Sequence, residues 1–138
     1  MNSSSGDHPG EQHLQIGEVA AATELSIKTI RHYDDVGLVT PSARSAGGFR
    51  LYTQSDIDRL LVIRRMKPLG FTLEDMSALL HAQNVLDDVD AAEDARTSAV
   101  QTVAHFHGRA EEACRTLARQ LDYARELTAQ LASHVPQR

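Results

Sequence analysis

The 138-residue chain has one cysteine, Cys114, no tryptophan and only 4% aromatic residues. A single thiol excludes an intrachain disulfide framework and the secreted folds that depend on one. No apolar run approaches the ~18 residues that a membrane-spanning helix needs. The opening stretch, Met1 to Gly10, lacks the basic start and apolar middle of a signal peptide. These absences fit a protein of the reducing cytoplasm with no membrane attachment. Catalytic groupings are missing too. The adjacent pairs Asp34-Asp35 and Asp87-Asp88 point apart on a helix or loop, and no nucleophile–base set or phosphate-binding glycine loop occurs. The chain reads as a non-enzyme with a thin core of Ala, Leu, Val and Ile.

Net positive charge is confined to the middle of the chain. The net charge is −5, with residues 1–25 contributing −4, residues 26–72 +4 and residues 73–138 −5. Screening removes interactions beyond ~10 Å, so the local balance decides which partners the surface attracts.

The cationic segment holds the most organised stretch. Ser26 suits a helix N-cap, Ile27, Ile30, Tyr33 and Asp34 recur at helical spacing, and Gly37 suits the far end. Lys28, Thr29, Arg31 and His32 remain for the outer face. Pro41, a Gly47-Gly48 turn and the alternation Phe49-Arg50-Leu51-Tyr52 predict a hairpin with Arg44 and Arg50 on its two sides. A helix sized for a major groove beside a basic hairpin suits a DNA duplex. A solvated helix with an ordinary surface hairpin remains the alternative at this level.

The tail over residues 1–13 reads as disordered. A helix over Ile16 to Thr23, then Thr23-Glu24-Leu25-Ser26, leads tightly into the cationic helix and completes a helix-turn-helix. Thr53 and Asp56 start a third helix with a basic face of Arg59, Arg64, Arg65 and Lys67, which Pro68 and Gly70 close. Thr72 to Asp75 starts a fourth. This second pair, Asp56 to His81, either touches phosphate through its basic turn or only packs the first pair. Residues 83–90 are acidic, lack helical periodicity and read as a hinge. Residues 91–135 predict one long helix with a heptad of Val100, Val103, His107, Ala110, Cys114, Leu117, Leu121, Ala124, Thr128, Leu131 and Val135. Such a stripe needs a partner, most simply a second copy.

This order of elements resembles the MerR family of bacterial transcription regulators. The carrying residues are Ile16-Gly17-Glu18-Val19-Ala20, Thr29-Ile30-Arg31-His32-Tyr33-Asp34 with Gly37-Leu38, then Pro41, Arg44, Gly48-Phe49-Arg50 and Tyr52, and finally Leu69-Gly70-Phe71 with Leu73-Glu74-Asp75-Met76. The resemblance implies a mainly α protein, with a winged helix-turn-helix DNA-binding domain over residues 14–82 and a long antiparallel coiled-coil dimerisation helix over residues 91–135. It implies a homodimer on pseudo-palindromic promoter DNA that distorts the duplex between the −35 and −10 elements so that RNA polymerase engages both. By position, Lys28, Thr29, Arg31 and His32 would meet the major groove. Tyr33, Arg44, Arg50, Tyr52 and Lys67 would hold phosphates. His32 replaces the Tyr or Phe common there in the family, which bears on the half-site sequence.

Family members usually carry an effector site after or at the ends of the dimer helix. This chain has no Cys pair for a soft metal, no four-Cys set for an iron–sulfur cluster and no appended ligand domain, so no cofactor or metal is expected. His105 and His107 point ~200° apart on a helix and cannot chelate one ion from one chain. Cys114 falls on the seam, where it packs or serves as a redox-responsive thiol. The rival from another class is a coiled-coil interaction protein with an incidental basic face.

Overall fold

The computed structural model describes residues 12–136. The tail expected over residues 1–13 therefore lies almost wholly outside the described residues. The order is β1 (Leu14–Gln15), α1 (Ile16–Thr23), α2 (Ile27–Asp35), β2 (Ala43–Arg44), β3 (Arg50–Tyr52), α3 (Gln54–Met66), a 3-10 turn (Lys67–Leu69), α4 (Leu73–Asp87) and α5 (Glu93–Ala132). Two compact units divide after Leu80. The mainly helical fold with a small antiparallel sheet and a long final helix is the one the sequence predicts.

Local chemistry sets most of the boundaries in the first unit. The Ser26 hydroxyl accepts from the Thr29 amide at 3.0 Å and opens α2. At the other end the Gly37 amide donates to the Asp34 carbonyl at 3.0 Å and the Leu38 amide to that of Tyr33 at 2.8 Å. This Schellman closure needs a left-handed residue, and Gly37 supplies it with φ +76°. Three residues, 24–26, join α1 to α2. There Glu24 takes φ 60° without being glycine. Arg64 of α3 braces this turn, donating from Nη1 to the Thr23 carbonyl at 2.9 Å and lying 3.7 Å from Glu24 Oε1.

The sheet runs β1-β3-β2, antiparallel throughout, and pairs Leu14 with Tyr52, Ala43 with Leu51 and Arg44 with Arg50. Residues 45–48 close the hairpin. The Gly48 amide donates to the Ser45 carbonyl and the Ser45 amide to that of Phe49, each at 2.9 Å. The base of this wing is fastened to α3 by Asp56, whose side chain has no solvent exposure. Its Oδ2 accepts from the Ser42 hydroxyl at 2.7 Å, the Thr53 amide at 2.9 Å and the Ser42 amide at 3.2 Å, while Arg59 donates to Oδ1. The core gathers Val19 and Thr23 from α1, Ile30 and Tyr33 from α2, Tyr52 from β3, and Ile57, Leu60 and Ile63 from α3. Each fully buried aliphatic side chain there contributes ~1.5–3 kcal/mol of transfer free energy.

In the second unit one expectation is corrected. The hinge read at residues 83–90 begins too early, because residues 83–87 are helical and complete α4. Ala82 is buried and Val85 and Leu86 are half-buried, a continued apolar face that the acids around them mask in the sequence. Only residues 88–92 link the helices. Arg96 fastens this link by donating to the Asp88 carbonyl at 2.7 Å and the Leu86 carbonyl at 3.3 Å. Helix α5 then runs for 40 residues, about 60 Å at the usual rise per residue.

Two stability predictions follow from these contacts. Asp56→Ala strands the Ser42 and Thr53 donors and takes from Arg59 its carboxylate partner, so urea unfolding should show a loss of ~3–5 kcal/mol. The Tyr52 hydroxyl is buried without a hydrogen-bond partner among the described residues. Tyr52→Phe removes that polar burden and should leave stability unchanged or raised by ~1 kcal/mol. Burial raises the Tyr52 pKa above its ordinary value of 10.0. Stability from the neutral phenol is thus present below pH 10 and lost as pH rises through the folded value, and alkaline melts of Tyr52→Phe should decline less steeply than wild type.

Candidate nucleic-acid interface

The outward face of α2 is built by sealing its inward one. Ile30 and Tyr33 are buried, which leaves Lys28, Arg31 and His32 exposed at one-turn spacing on the opposite side. Thr29 is half-buried at the edge of this face, its hydroxyl accepting from Ser26 Oγ at 2.8 Å. The first three share a surface that a groove edge can reach, and Thr29 serves partly as cap.

The wing distributes its residues differently from the sequence expectation. Tyr52 is assigned to phosphate by position, yet its side chain is fully buried at the centre of the sheet. That assignment is corrected: the phenol belongs to the core, because β3 turns its alternate side chains inward at Tyr52. Tyr33 is likewise 3% exposed and packs the inner face of α2, with burial raising its pKa. Phe49, by contrast, stands 69% exposed at the turn.

Arg44 and Arg50 are on the wing, and both are engaged by Asp34 of α2. Arg50 Nε donates to Asp34 Oδ2 at 2.7 Å, and Arg44 Nη2 donates to the same oxygen at 3.4 Å. The hydrogen bond that Arg50 donates to Asp34 holds its proton more firmly than usual. Sequence reading placed Asp34 on the inner side of α2 without seeing this role. One signal was available. Two adjacent carboxylates in the last turn of a helix oppose its dipole, which suggests a cationic partner elsewhere. Lys67 is exposed at the 3-10 turn with no protein partner among the described residues, and so is Arg65.

On α5, cover within the single chain follows only part of the heptad line. Val103 and Ala110 are half-buried, but the fully covered positions are Ala99 and Phe106, while His107 and Cys114 are exposed. The His107 side chain lies 3.6 Å from Glu111. Beyond Cys114 the row of Leu117, Leu121, Ala124 and Leu131 is open along its whole length in the single chain. Among the described residues no group of three or more His, Cys, Asp or Glu side chains is placed to hold a metal ion, and no helix is long and apolar enough to cross a membrane.

Known proteins resemble this chain over both the helix-turn-helix and the long final helix. The pattern of the MerR HTH family regulatory proteins matches residues 14–83, and that of the MerR DNA-binding region matches residues 57–132. The HTH-type transcriptional activator TipA of Streptomyces coelicolor is 45% identical over 65 residues, which is 47% of this chain and 26% of TipA. The HTH-type transcriptional regulator CueR of Vibrio cholerae is 40% identical over 83 residues, 60% of each chain. The match thus spans about a quarter of the one relative and under two thirds of the other. HiNmlR, a MerR family regulator lacking the sensor domain and solved on promoter DNA, shares the fold with a TM-score of 0.64 at 21% identity, over 88% of this chain and 89% of HiNmlR. With a sealed helix-turn-helix, a wing and a long final helix matched along most of its length, the chain belongs to the MerR family of helix-turn-helix regulatory proteins.

Proposed function

We propose that the protein is a homodimeric transcription regulator that binds a pseudo-palindromic promoter site and distorts the DNA between its −35 and −10 elements. The observation that carries this reading is the solvent face of α2, where Lys28, Arg31 and His32 stand exposed at one-turn spacing on a helix whose other side is sealed. A forked guanidinium at Arg31 suits the O6 and N7 acceptors of guanine in the major groove. Lys67, and the Arg44 and Arg50 donors that Asp34 leaves unused, supply the backbone contacts that set orientation without reading sequence.

The open apolar row of α5 supports the dimer. Leu117, Leu121 and Leu131 are each between 45% and 53% exposed in the single chain. A row of that length stays in water only at a cost, and a second α5 covers it by knobs-into-holes packing. Two recognition helices on one dimer then meet two half-sites, and the bend between them is read through deformability rather than base contact. RNA polymerase is the partner that profits from the realigned promoter elements.

Binding to a fluorescent duplex carrying the region upstream of the protein's own reading frame, measured across a salt series, tests this reading. Wild type should bind with a negative log–log salt slope, and Arg31→Ala should lose ~1–3 kcal/mol of specific binding. Sequence-blind binding by wild type would sink the proposal. For the dimer, sedimentation should find two chains per particle in wild type and one in Leu121→Asp, with specific DNA affinity lost alongside. A Leu121→Asp protein that remained dimeric would place the interface elsewhere.

A further inference from the structure

Two arrangements in the DNA-binding unit are unfavourable taken singly. Asp34 and Asp35 stand in the last turn of α2, where the helix dipole disfavours negative charge. The register of the wing sets Arg44 directly opposite Arg50, a like-charge pair that weakens an antiparallel ladder. Brought together they relieve each other. One oxygen of Asp34 accepts from Arg50 at 2.7 Å and from Arg44 at 3.4 Å, so a single carboxylate bridges the two strands. Arg44 Nη1 also donates to the Gly48 carbonyl at 3.2 Å, which carries the connection into the hairpin turn. The Asp34 side chain is only 12% exposed, so solvent and salt screen it less than a surface pair. Its neighbour Asp35 is 69% exposed and lies 3.8 Å from Arg50, which makes it a peripheral partner.

We propose that Asp34 is the positioning residue of the DNA-binding surface, fixing the pose of the wing against the recognition helix and aiming the free edges of Arg44 and Arg50. This rests on the reading of α2 and the wing as one DNA-binding surface. A guanidinium has five N–H donors, and Arg50 spends the Nε one on Asp34. Its Nη groups carry the other four, with only the peripheral Asp35 near Nη2, so a phosphate can reach them while the Asp34 bond sets their direction. Without Asp34 the two cations repel across the ladder and the wing loses its fixed relation to the groove-reading helix. Asp34 therefore helps binding although it is an acid beside a polyanion, and this makes the sign of its effect diagnostic.

Wild type, Asp34→Asn, Asp34→Glu and Asp35→Asn are titrated against the same promoter duplex and a scrambled duplex over a salt series. Duplex at saturating concentration counts the competent protein, so a partly unfolded variant is corrected for. Asp34→Asn should bind the promoter duplex about tenfold more weakly while its scrambled-duplex affinity changes little, so that specificity falls. Asp34→Glu keeps the charge but lengthens the side chain, and should lose specificity in the same direction. Asp35→Asn should bind more tightly, as removal of one acid alone dictates. In the free protein, amide hydrogen exchange over residues 45–49 should quicken in Asp34→Asn while α3 amides keep the wild-type rate. The positioning role is overturned if Asp34→Asn tightens promoter binding as Asp35→Asn does, or if exchange over the wing is unchanged. A wild type that fails to distinguish the two duplexes would instead overturn the functional reading beneath it.

Discussion

The wing stands where it does because Asp56 holds a full carboxylate out of reach of water. A buried charge is tolerable only when every acceptor site is met, so the groups that meet it have little freedom to move. Here they are the backbone and hydroxyl of Ser42, the Thr53 amide and Arg59. Ser42 enters the wing and Thr53 leaves it. One carboxylate thus pins both ends of the hairpin to the start of α3. Strands of two and three residues are far too short to hold a hairpin by ladder hydrogen bonds alone. Side chains hold it instead, Asp56 at the root and Asp34 at the strands.

Seen this way, the positive charge of residues 26–72 is of two kinds. Arg44, Arg50, Arg59 and Arg64 are spent on protein acceptors and build the framework. Lys28, Arg31, Arg65 and Lys67 have no protein partner among the described residues and face solvent. The charge count of the segment overstates what a duplex meets first. Four of these cations are tied into the framework, and four stand free in solvent.

What was legible in the sequence was mostly local. Ser26, Thr53, Thr72 and Gly37 mark helix ends through contacts three or four residues away, so the residues themselves carry the signal. The helix-turn-helix and the hairpin turn followed for the same reason. Tyr52 was not legible, since a three-residue strand offers no periodicity to tell the inner face from the outer. Asp34, and Arg64 on the Thr23 carbonyl, depend on chain separations of 16 and 41 residues. The apolar lines of α5 illustrate a subtler limit. Two apolar lines share Val103, Ala110 and Leu117, one passing through Val100, His107 and Cys114 and the other through Ala99, Phe106 and Ala113. Spacing alone supports both. Within the single chain it is Ala99 and Phe106, on the second line, that are covered.

The separation of charge along the chain also bears on how fast such a protein finds its DNA. Residues 26–72 carry +4 and residues 73–138 carry −5. A polyanion attracts the first segment and repels the second before any contact forms, within the ~8 Å over which charges are felt at physiological ionic strength. Electrostatic steering of this kind raises the on-rate through residues that never touch the duplex.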